Sequence, residues 1–266
     1  MKEESPGELK QDPLSVKCRN FSLHDRFNFL CHKGFSCFTH CCRDINIFLT
    51  PYDVLRMRRA TSTISDDFLN TYTIALVDSS GLPCVVLKMR EDETKACPFV
   101  TPDGCEIYED RPWACRMYPL FPASSEEEGF LIEEKLSCLG FKEEKQWTID
   151  EWKKAQGIEI YDKMNESYKE ITYHDFFLKG NKLDPGRTKL LYTACYDLDE
   201  FERFLFETRF FDIYDVEKET IGRVKEDREE LLNFGYRWVR FNLFGEDTLR
   251  LKDKIFDNIL HAKKKW

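Results

Sequence analysis

A run of sulfur-containing residues constrains this chain more than any other feature. The stretch CHKGFSCFTHCCRD, residues 31–44, carries four cysteines and two histidines. Three residues separate Cys37 from Cys41, a spacing that lets both bind one ion from a loop or a single helical turn. The adjacent Cys41 and Cys42 diverge on regular backbone, so both can be ligands only on irregular backbone or if each faces a different metal atom. This pattern is richer than a plain zinc finger.

A second group of cysteines follows in the same half of the chain. Ten of the eleven cysteines precede residue 140. Cys97, Cys105 and Cys115 lie around residues 102–104, a Pro-Asp-Gly turn that brings Cys97 and Cys105 to the two flanks of one tight loop. Thiolates gathered this closely repel one another, so a cation is needed to keep them deprotonated. The two groups together therefore predict a metal site.

Some of these residues have other plausible roles. Cys84 and Cys195 lie in apolar runs, where a cysteine acts as a small buried side chain. Disulfides are a second alternative, but the acidic N-terminal segment has no signal-peptide pattern, which favours a cytoplasmic protein with reduced thiols. His32 and His40 can also bind zinc or iron, although the nearby sulfurs make them weaker candidates. Metal binding remains the main interpretation of the clustered cysteines.

Charge and hydropathy narrow the range of partners. The formal net charge of −9 argues against general binding to nucleic acid or to anionic membranes. Arg56, Arg58 and Arg59 form a local basic run, which we interpret as the solvated face of a helix. No window approaches the roughly 20 apolar residues that a membrane span requires. We therefore predict neither a nucleic-acid partner nor a membrane span.

Local patterns in the front half predict short helices and hairpins. Thr50 can cap free backbone amides and Pro51 suits the first helical position, so a helix should begin there. Ser65 gives a second helix start. Residues 73–89 form two β-rich runs joined by a Ser-Ser-Gly turn, which predicts a hairpin, and residues 129–138 give a further strand. The predicted fold class is α+β, with a loop-rich cysteine-cluster domain.

The back half of the chain is poor in cysteine and has helical patterns. Residues 148–171 keep helical spacing despite Gly157, and residues 184–211, 215–244 and 246–265 also have helical or charged amphipathic patterns. The predicted division of the chain is a flexible lead-in over residues 1–20, a cysteine-cluster metal-binding domain over residues 21–145, and an all-helical C-terminal region over residues 146–266.

Four stretches of the front half resemble a known family. They are CFTHCCR at 37–43, LTPYDVLRM at 49–57, ACPFV at 96–100 and GCEIYEDRPWACRMYPL at 104–120. Their pattern is similar to the YkgJ-type cysteine-cluster family, in which a CxxCxxCC element precedes two further cysteine motifs. The first element is looser here, because five residues separate Cys31 from Cys37. The resemblance covers roughly residues 30–140 and leaves out the helical back half.

The resemblance implies a chemistry and a ligand set. It implies binding of zinc or iron, and a likeness to the cysteine-cluster part of flagellin lysine N-methylases implies an iron–sulfur cluster. The implied metal ligands are Cys31, Cys37, Cys41, Cys42, Cys97, Cys105, Cys115 and Cys138. Arg43, Arg111 and Arg116 each lie within four residues of a cysteine, where a guanidinium can hydrogen-bond a thiolate or a cluster sulfide. Salt bridges to Glu106, Glu109 or Asp110 are the alternative role for these arginines.

Three functions fit these observations. We prefer a protein that binds an iron–sulfur cluster, because the clustered thiols outnumber the four that one zinc ion needs and the likeness to flagellin lysine N-methylases implies such a cluster. The surplus of thiols also permits two zinc ions, one cluster with an open position, or one cluster plus one mononuclear ion. One alternative is an iron–sulfur-dependent protein-modifying enzyme, such as a lysine N-methylase, although no catalytic residue is evident. The other is a structural zinc module that acts as an adaptor and binds a protein partner through its helical region.

Overall fold

The computed structural model describes residues 17–123, 129–134 and 137–253 of the 266-residue chain. The strands, in chain order, are β1 (Lys17–Phe21), β2 (Arg26–Asn28), β3 (Phe48–Leu49), β4 (Thr73–Val77), β5 (Pro83–Leu87), β6 (Val100–Thr101), β7 (Gly104–Cys105), β8 (Leu120–Pro122), β9 (Phe130–Glu134), β10 (Gln146–Thr148), β11 (Tyr214–Asp215) and β12 (Arg250–Leu251). The α-helices are α1 (Pro51–Thr61), α2 (Ser65–Tyr72), α3 (Trp113–Met117), α4 (Ile149–Ala155), α5 (Ile158–Thr172), α6 (Asp175–Leu178), α7 (Pro185–Cys195), α8 (Leu198–Glu207), α9 (Phe210–Ile213), α10 (Lys218–Glu226) and α11 (Arg228–Phe244).

The chain divides into two compact units, each made from two separated stretches. The first unit comprises the described residues of Met1–Phe38 and Met117–Gln156, and the second comprises those of Thr39–Arg116 and Gly157–Trp266. Short sheets and many helices confirm the α+β class, and the C-terminal half is mostly helical. Its short strands β10, β11 and β12 depart from the all-helical expectation. The sequence-based boundary between residues 145 and 146 stays a prediction.

The first unit is built around a small antiparallel sheet and an aromatic core. Strand β9 lies between β1 and β8, and β2 pairs with β10. The ring of the buried Phe29 makes edge-on contacts with the rings of Trp152, Phe141 and Tyr118, with centroids 5.5, 5.2 and 5.9 Å away. Aromatic packing of this kind lets a small unit bury a large apolar area.

The second unit packs helices against the three-stranded sheet β3–β5–β4. Helix α1 begins as the sequence predicts, because the side chain of Thr50 accepts the amide of Asp53 and the Asp53 carboxylate accepts the amide of Thr50. The predicted hairpin is confirmed by the antiparallel pairing of β4 with β5. Helix α11 approaches α7 so closely that a Cβ on Gly235 would lie 2.3 Å from the carbonyl oxygen of Ala194. This contact lies within the core of the unit.

Several stretches of the back half differ from the expected helices. Gly157 has a φ of 61°, so α4 ends at Ala155 and α5 starts anew at Ile158. Asp227 accepts the amide of Glu229 at 2.7 Å and separates α10 from α11. Strand β12 interrupts the pattern predicted as a helix over 246–265, because its backbone pairs with β11. Residues 254–265 of that pattern lie outside the described residues.

Two further observations concern the ends and the helices of the chain. Residues 17–20 of the predicted lead-in form most of strand β1, and residues 1–16 lie outside the described part.

None of the helices in the described part combines the length and the apolarity that crossing a membrane would require.

Candidate metal centre

Cys41 and Cys42 lie on irregular backbone in the second unit. A 3-10 helix over His40–Cys42 follows Thr39, whose φ is 66°. The amide of Cys97 donates a hydrogen bond to the carbonyl of Cys42 at 2.8 Å. The doubled cysteine therefore lies next to the segment that carries the second cysteine group.

A tight hairpin carries Cys97 and Cys105. Strands β6 and β7 pair Val100 with Cys105. Burial raises the pKa of both thiols, and backbone N–H groups oppose that rise, from Phe99 and Val100 at Cys97 and from Ile107 at Cys105. Amides directed at sulfur favour the thiolate, which is the form that binds metal. The loop therefore provides the donors that a metal-bound sulfur needs.

Cys115 lies on the short helix α3. The amide of Trp113, the first residue of this helix, donates to Oδ1 of Asp53 at 2.7 Å, and the amide of Cys115 donates to the carbonyl of Pro112 at 3.0 Å. Asp53 is buried, and this burial raises its pKa to about 6 despite the hydrogen bonds that it accepts. Helix α1 thus fixes the start of the segment that presents Cys115.

The charges of these thiols act on one another. A hydrogen bond with Cys41 raises the pKa of Cys42 most, followed by burial and by the charges of Cys41, Cys115 and Cys97. Burial raises the pKa of Cys115, and the charges of Cys97 and Cys105 raise it further. Thiols from separate segments therefore share one electrostatic environment, in which their deprotonation requires a nearby cation.

The positive charges of two arginines partly oppose the rise in thiol pKa. Arg111 does so at Cys105 and at Cys115, and Arg90 does so at Cys97. The guanidinium of Arg111 also stacks on the ring of Tyr108 at 3.7 Å. The hydrogen bond expected between Arg111 and sulfur stays a prediction, and Arg90 is a candidate that the sequence analysis missed because it lies outside the cysteine motifs.

Arg116 contacts the backbone of the cysteine loop. Its guanidinium donates to the carbonyls of Arg111, at 3.1 Å, and Glu109, and lies over the ring of Tyr161 at 4.7 Å. The carboxylate of the neighbouring Asp110 accepts Nε of Arg56 at 2.7 Å. Arg116 therefore stabilises the backbone conformation of the loop at Glu109 and Arg111.

Arg43 lies directly after the doubled cysteine. Its backbone forms an isolated antiparallel bridge with Ala96, the residue before Cys97. The sequence-predicted contact of its guanidinium with sulfur stays a prediction.

The thiols are close but do not form a finished ligand shell. In the described part of the chain, no three Cys, His, Asp or Glu side chains converge as the ligands of one ion. The donor set nevertheless fits a thiophilic metal, because Cys42, Cys97, Cys105 and Cys115 are soft ligands whose charges interact. A bound cation would offset the electrostatic repulsion between the thiolates of these cysteines.

The first unit holds three more of the predicted ligands. The amide of Leu139 donates to Sγ of Cys37 at 3.3 Å, so Cys37 lies beside the segment of Cys138. The amide of Leu30 donates to the carbonyl of Gly140 at 3.1 Å, which brings the segment of Cys31 to the same place. The chain segments that carry these three cysteines, called the second thiol group below, therefore lie beside one another within their own unit.

The remaining cysteines and histidines have simpler roles. All cysteines whose side chains are described are free thiols, which excludes disulfides among them. Cys195 is fully buried, as expected, and Cys84 on β5 is partly exposed. Nδ1 of His32 accepts the amide of Gly34 at 3.1 Å, and His40 is exposed.

Asp53 and Tyr161 are also functional candidates that the sequence reasoning missed. The hydroxyl of Tyr161 donates to the carbonyl of Arg111 at 3.1 Å and so supports the cysteine loop from α5. A signal for Asp53 was present, because Thr50 and Asp53 have the spacing of a capping box, but its bond to Trp113 joins distant parts of the chain.

Comparison with known proteins agrees with this centre. Residues 30–151, just under half of the chain, match the family model described as "CxxCxxCC: Putative zinc- or iron-chelating domain". No curated protein and no solved structure matches the chain. The matched residues contain the cysteines of both thiol groups.

Proposed function

We propose that the second unit binds metal through Cys42, Cys97, Cys105 and Cys115, because residues 30–151 match the model of a zinc- or iron-chelating domain family. One observation carries this proposal: the charges of Cys97 and Cys115 raise the pKa of Cys42, and those of Cys97 and Cys105 raise that of Cys115. A bound cation reverses these penalties, so the thiols and the metal stabilise one another. Binding would draw the four sulfurs together.

The form of the proposal that we favour has an iron–sulfur cluster as the bound metal. Four thiolates satisfy one cubane cluster, and N–H groups directed at sulfur and nearby arginines tune such clusters. Cys41 offers a fifth thiol beside Cys42. A bound cluster would supply one-electron transfer, while the chain's own residues hold the sulfurs and offset their charge.

The remaining predicted ligands belong to the same proposal. Cys31, Cys37 and Cys138 form a second thiol group that binds metal within the first unit, supported by the N–H···S bond from Leu139 to Cys37. Arg111 offsets thiolate charge, Arg116 holds the loop backbone, and Arg43 hydrogen-bonds sulfur. Free thiols in this number suit a reducing compartment, so we place the chain in the cytoplasm.

The two other functions stay hypotheses. No contact among the described residues favours a lysine N-methylase over simple metal binding. The adaptor role, with a protein partner bound by the helical region, likewise has no contact that selects it in the described part of the chain.

Anaerobic purification with elemental analysis tests the proposal. We expect the wild-type chain to be brown, with broad visible absorption and with iron and acid-labile sulfide in similar amounts. Cys115→Ser should lose iron, because it removes one of the four proposed ligands. Cys84→Ser is the matched control: it removes a partly exposed thiol of the same unit, outside the thiol groups, and should keep the wild-type iron content.

The possible results separate the parts of the proposal. A colourless anaerobic protein that holds zinc without iron or sulfide contradicts the cluster and keeps the thiol site. Equal metal content in wild type and Cys115→Ser, whatever the metal, contradicts the site itself.

A further inference from the structure

Asp53 takes part in the starts of two helices at once. Its Oδ2 accepts the amide of Thr50 at 2.8 Å and the hydroxyl of Thr50 at 2.9 Å, which closes the capping box of α1. Its Oδ1 accepts the amide of Trp113 at 2.7 Å, at the first residue of α3. Because the contacts to Thr50 fix the carboxylate, Oδ1 is a fixed acceptor for the start of α3.

Helix α3 needs this external support. It has five residues, too few for a helix to be stable by itself. Cys115 follows Trp113 by two residues, so a shift of the Trp113 amide moves the thiol as well. Asp53 is only 1% exposed, so water does not readily replace its carboxylate if the side chain is lost.

The opposite side of the same loop is held by other residues. The carbonyl of Arg111 accepts the hydroxyl of Tyr161 and Nε of Arg116, each at 3.1 Å. Trp113 also donates its indole N–H to Asp162 at 2.7 Å. The segment that leads to Cys115 is therefore bound to α1 on one side and to α5 on the other, and Asp53 supplies the contact nearest the start of α3.

We propose that Asp53 is a positioning residue of the metal centre, which sets the place of Cys115 through the amide of Trp113. The inference rests on the proposed function, since it concerns one of the proposed ligands. It also gives a role to the stretch LTPYDVLRM, which carries no cysteine. In this role Thr50 and Asp53 act together, one holding the carboxylate and the other holding the helix start.

Cobalt(II) binding to the metal-free, full-length chain tests this role. Sulfur-to-cobalt charge-transfer absorption reports the number of thiolates on each bound ion, and its titration gives the affinity. Asp53→Asn keeps the shape of the side chain but has only one carbonyl oxygen to accept from both Thr50 and Trp113. We therefore expect the affinity for cobalt(II) to fall about tenfold. The charge-transfer intensity per bound ion should fall toward that of Cys115→Ser.

Asp199→Asn is the matched control. Asp199 also accepts a backbone amide at a helix start, that of Ser65 at 2.6 Å, and it lies in the same unit. It contacts no cysteine segment through the bonds described, since its partners are Arg58 and Arg228. We expect its cobalt spectrum and affinity to equal those of the wild type.

The outcomes distinguish this inference from the function on which it rests. If wild type and Cys115→Ser give the same cobalt spectrum, the proposed site is wrong. If Cys115→Ser loses intensity while Asp53→Asn keeps the full wild-type spectrum and affinity, the site stands and the positioning role is overturned. Should Asp53→Asn fail to fold, Thr50→Val is used, which removes only the hydroxyl that holds Oδ2; it should lower affinity in the same direction, and an unchanged spectrum and affinity would overturn the role.

Discussion

The amide of Cys97 donates to the carbonyl of Cys42 at 2.8 Å, so a backbone hydrogen bond joins the two cysteine-bearing segments of the second unit. A second bond from the amide of Asp44 to the carbonyl of Lys95, at 2.9 Å, continues this pairing. The segments are therefore in place through their backbones, independently of any contact between sulfurs. In these two segments, metal binding would therefore require the cysteine side chains to move but not the backbone pairing to change.

The doubled cysteine should divide its roles unequally. Cys42 is partly buried and interacts with Cys97 and Cys115, whereas Cys41 is exposed. We expect Cys42→Ala to weaken metal binding by more than about tenfold and Cys41→Ala to weaken it less. Competition with a chelator of known affinity measures both, with Cys84→Ala as the control. Equal losses for the two variants would show that both sulfurs are required ligands.

Asp53 should make folding stability depend on pH. Burial raises its pKa to about 6, whereas an unfolded aspartate titrates near 3.9. The folded state thus binds the proton of Asp53 more tightly than the unfolded state does. The stabilisation that this proton gives is complete below about pH 4 and is lost as the pH rises through about 6. The free energy of unfolding should fall by about 3 kcal/mol across this window through this residue alone.

Urea unfolding of the metal-free chain and of Asp53→Asn isolates that contribution. The variant cannot titrate at this position, so the difference between the two free energies should change with pH in the stated direction. Parallel curves for the two proteins would contradict a raised pKa at Asp53.

Gly235 should tolerate no side chain. A Cβ there would lie 2.3 Å from the carbonyl oxygen of Ala194, so Gly235→Ala forces α11 away from α7 and should cost about 3 kcal/mol of unfolding free energy. Gly222 in α10 has nothing within 4 Å of the equivalent position, and Gly222→Ala should stabilise by about 0.5–1 kcal/mol. Chemical denaturation of both variants tests the pair. A neutral Gly235→Ala would mean that the helices separate freely.

Two buried tyrosines should respond oppositely to loss of the hydroxyl. The hydroxyl of Tyr236 is buried without a hydrogen-bond partner among the described residues, whereas that of Tyr196 contacts the hydroxyl of Tyr168 at 2.9 Å and donates to the carbonyl of Leu49 at 3.2 Å. Tyr236→Phe should be neutral or stabilise by up to about 1 kcal/mol, and Tyr196→Phe should cost about 1–2 kcal/mol. Equal costs in thermal unfolding would reveal a bound water at Tyr236.

Features that depend on neighbouring residues could be predicted from the sequence. The start of α1 at Thr50 and Pro51 and the β4–β5 hairpin are local, because capping and turn chemistry involve residues close in the chain. The candidate cysteines could be selected for the same reason, since their spacing is a local property, and their role as ligands stays a prediction.

Features that depend on distant partners could not be predicted. Strand β12 forms because its backbone pairs with β11, and Gly157 breaks a helical pattern that apolar spacing alone continues. The sequence identifies Asp53 only as a capping residue, because its hydrogen bond with the amide of Trp113 joins residues far apart in the chain. The division of the thiols between two units also depends on contacts that spacing does not encode.

The interleaved order of the two units has a consequence for synthesis on the ribosome. All proposed thiol ligands of the second unit have been translated once Arg116 is made, but Tyr161 and the rest of α5 are translated only after the whole second stretch of the first unit. At roughly 5–20 residues per second, the nascent chain carries these thiols for seconds before their loop is held from both sides. Metal that binds during that interval would meet a loop that still lacks its contact with Tyr161.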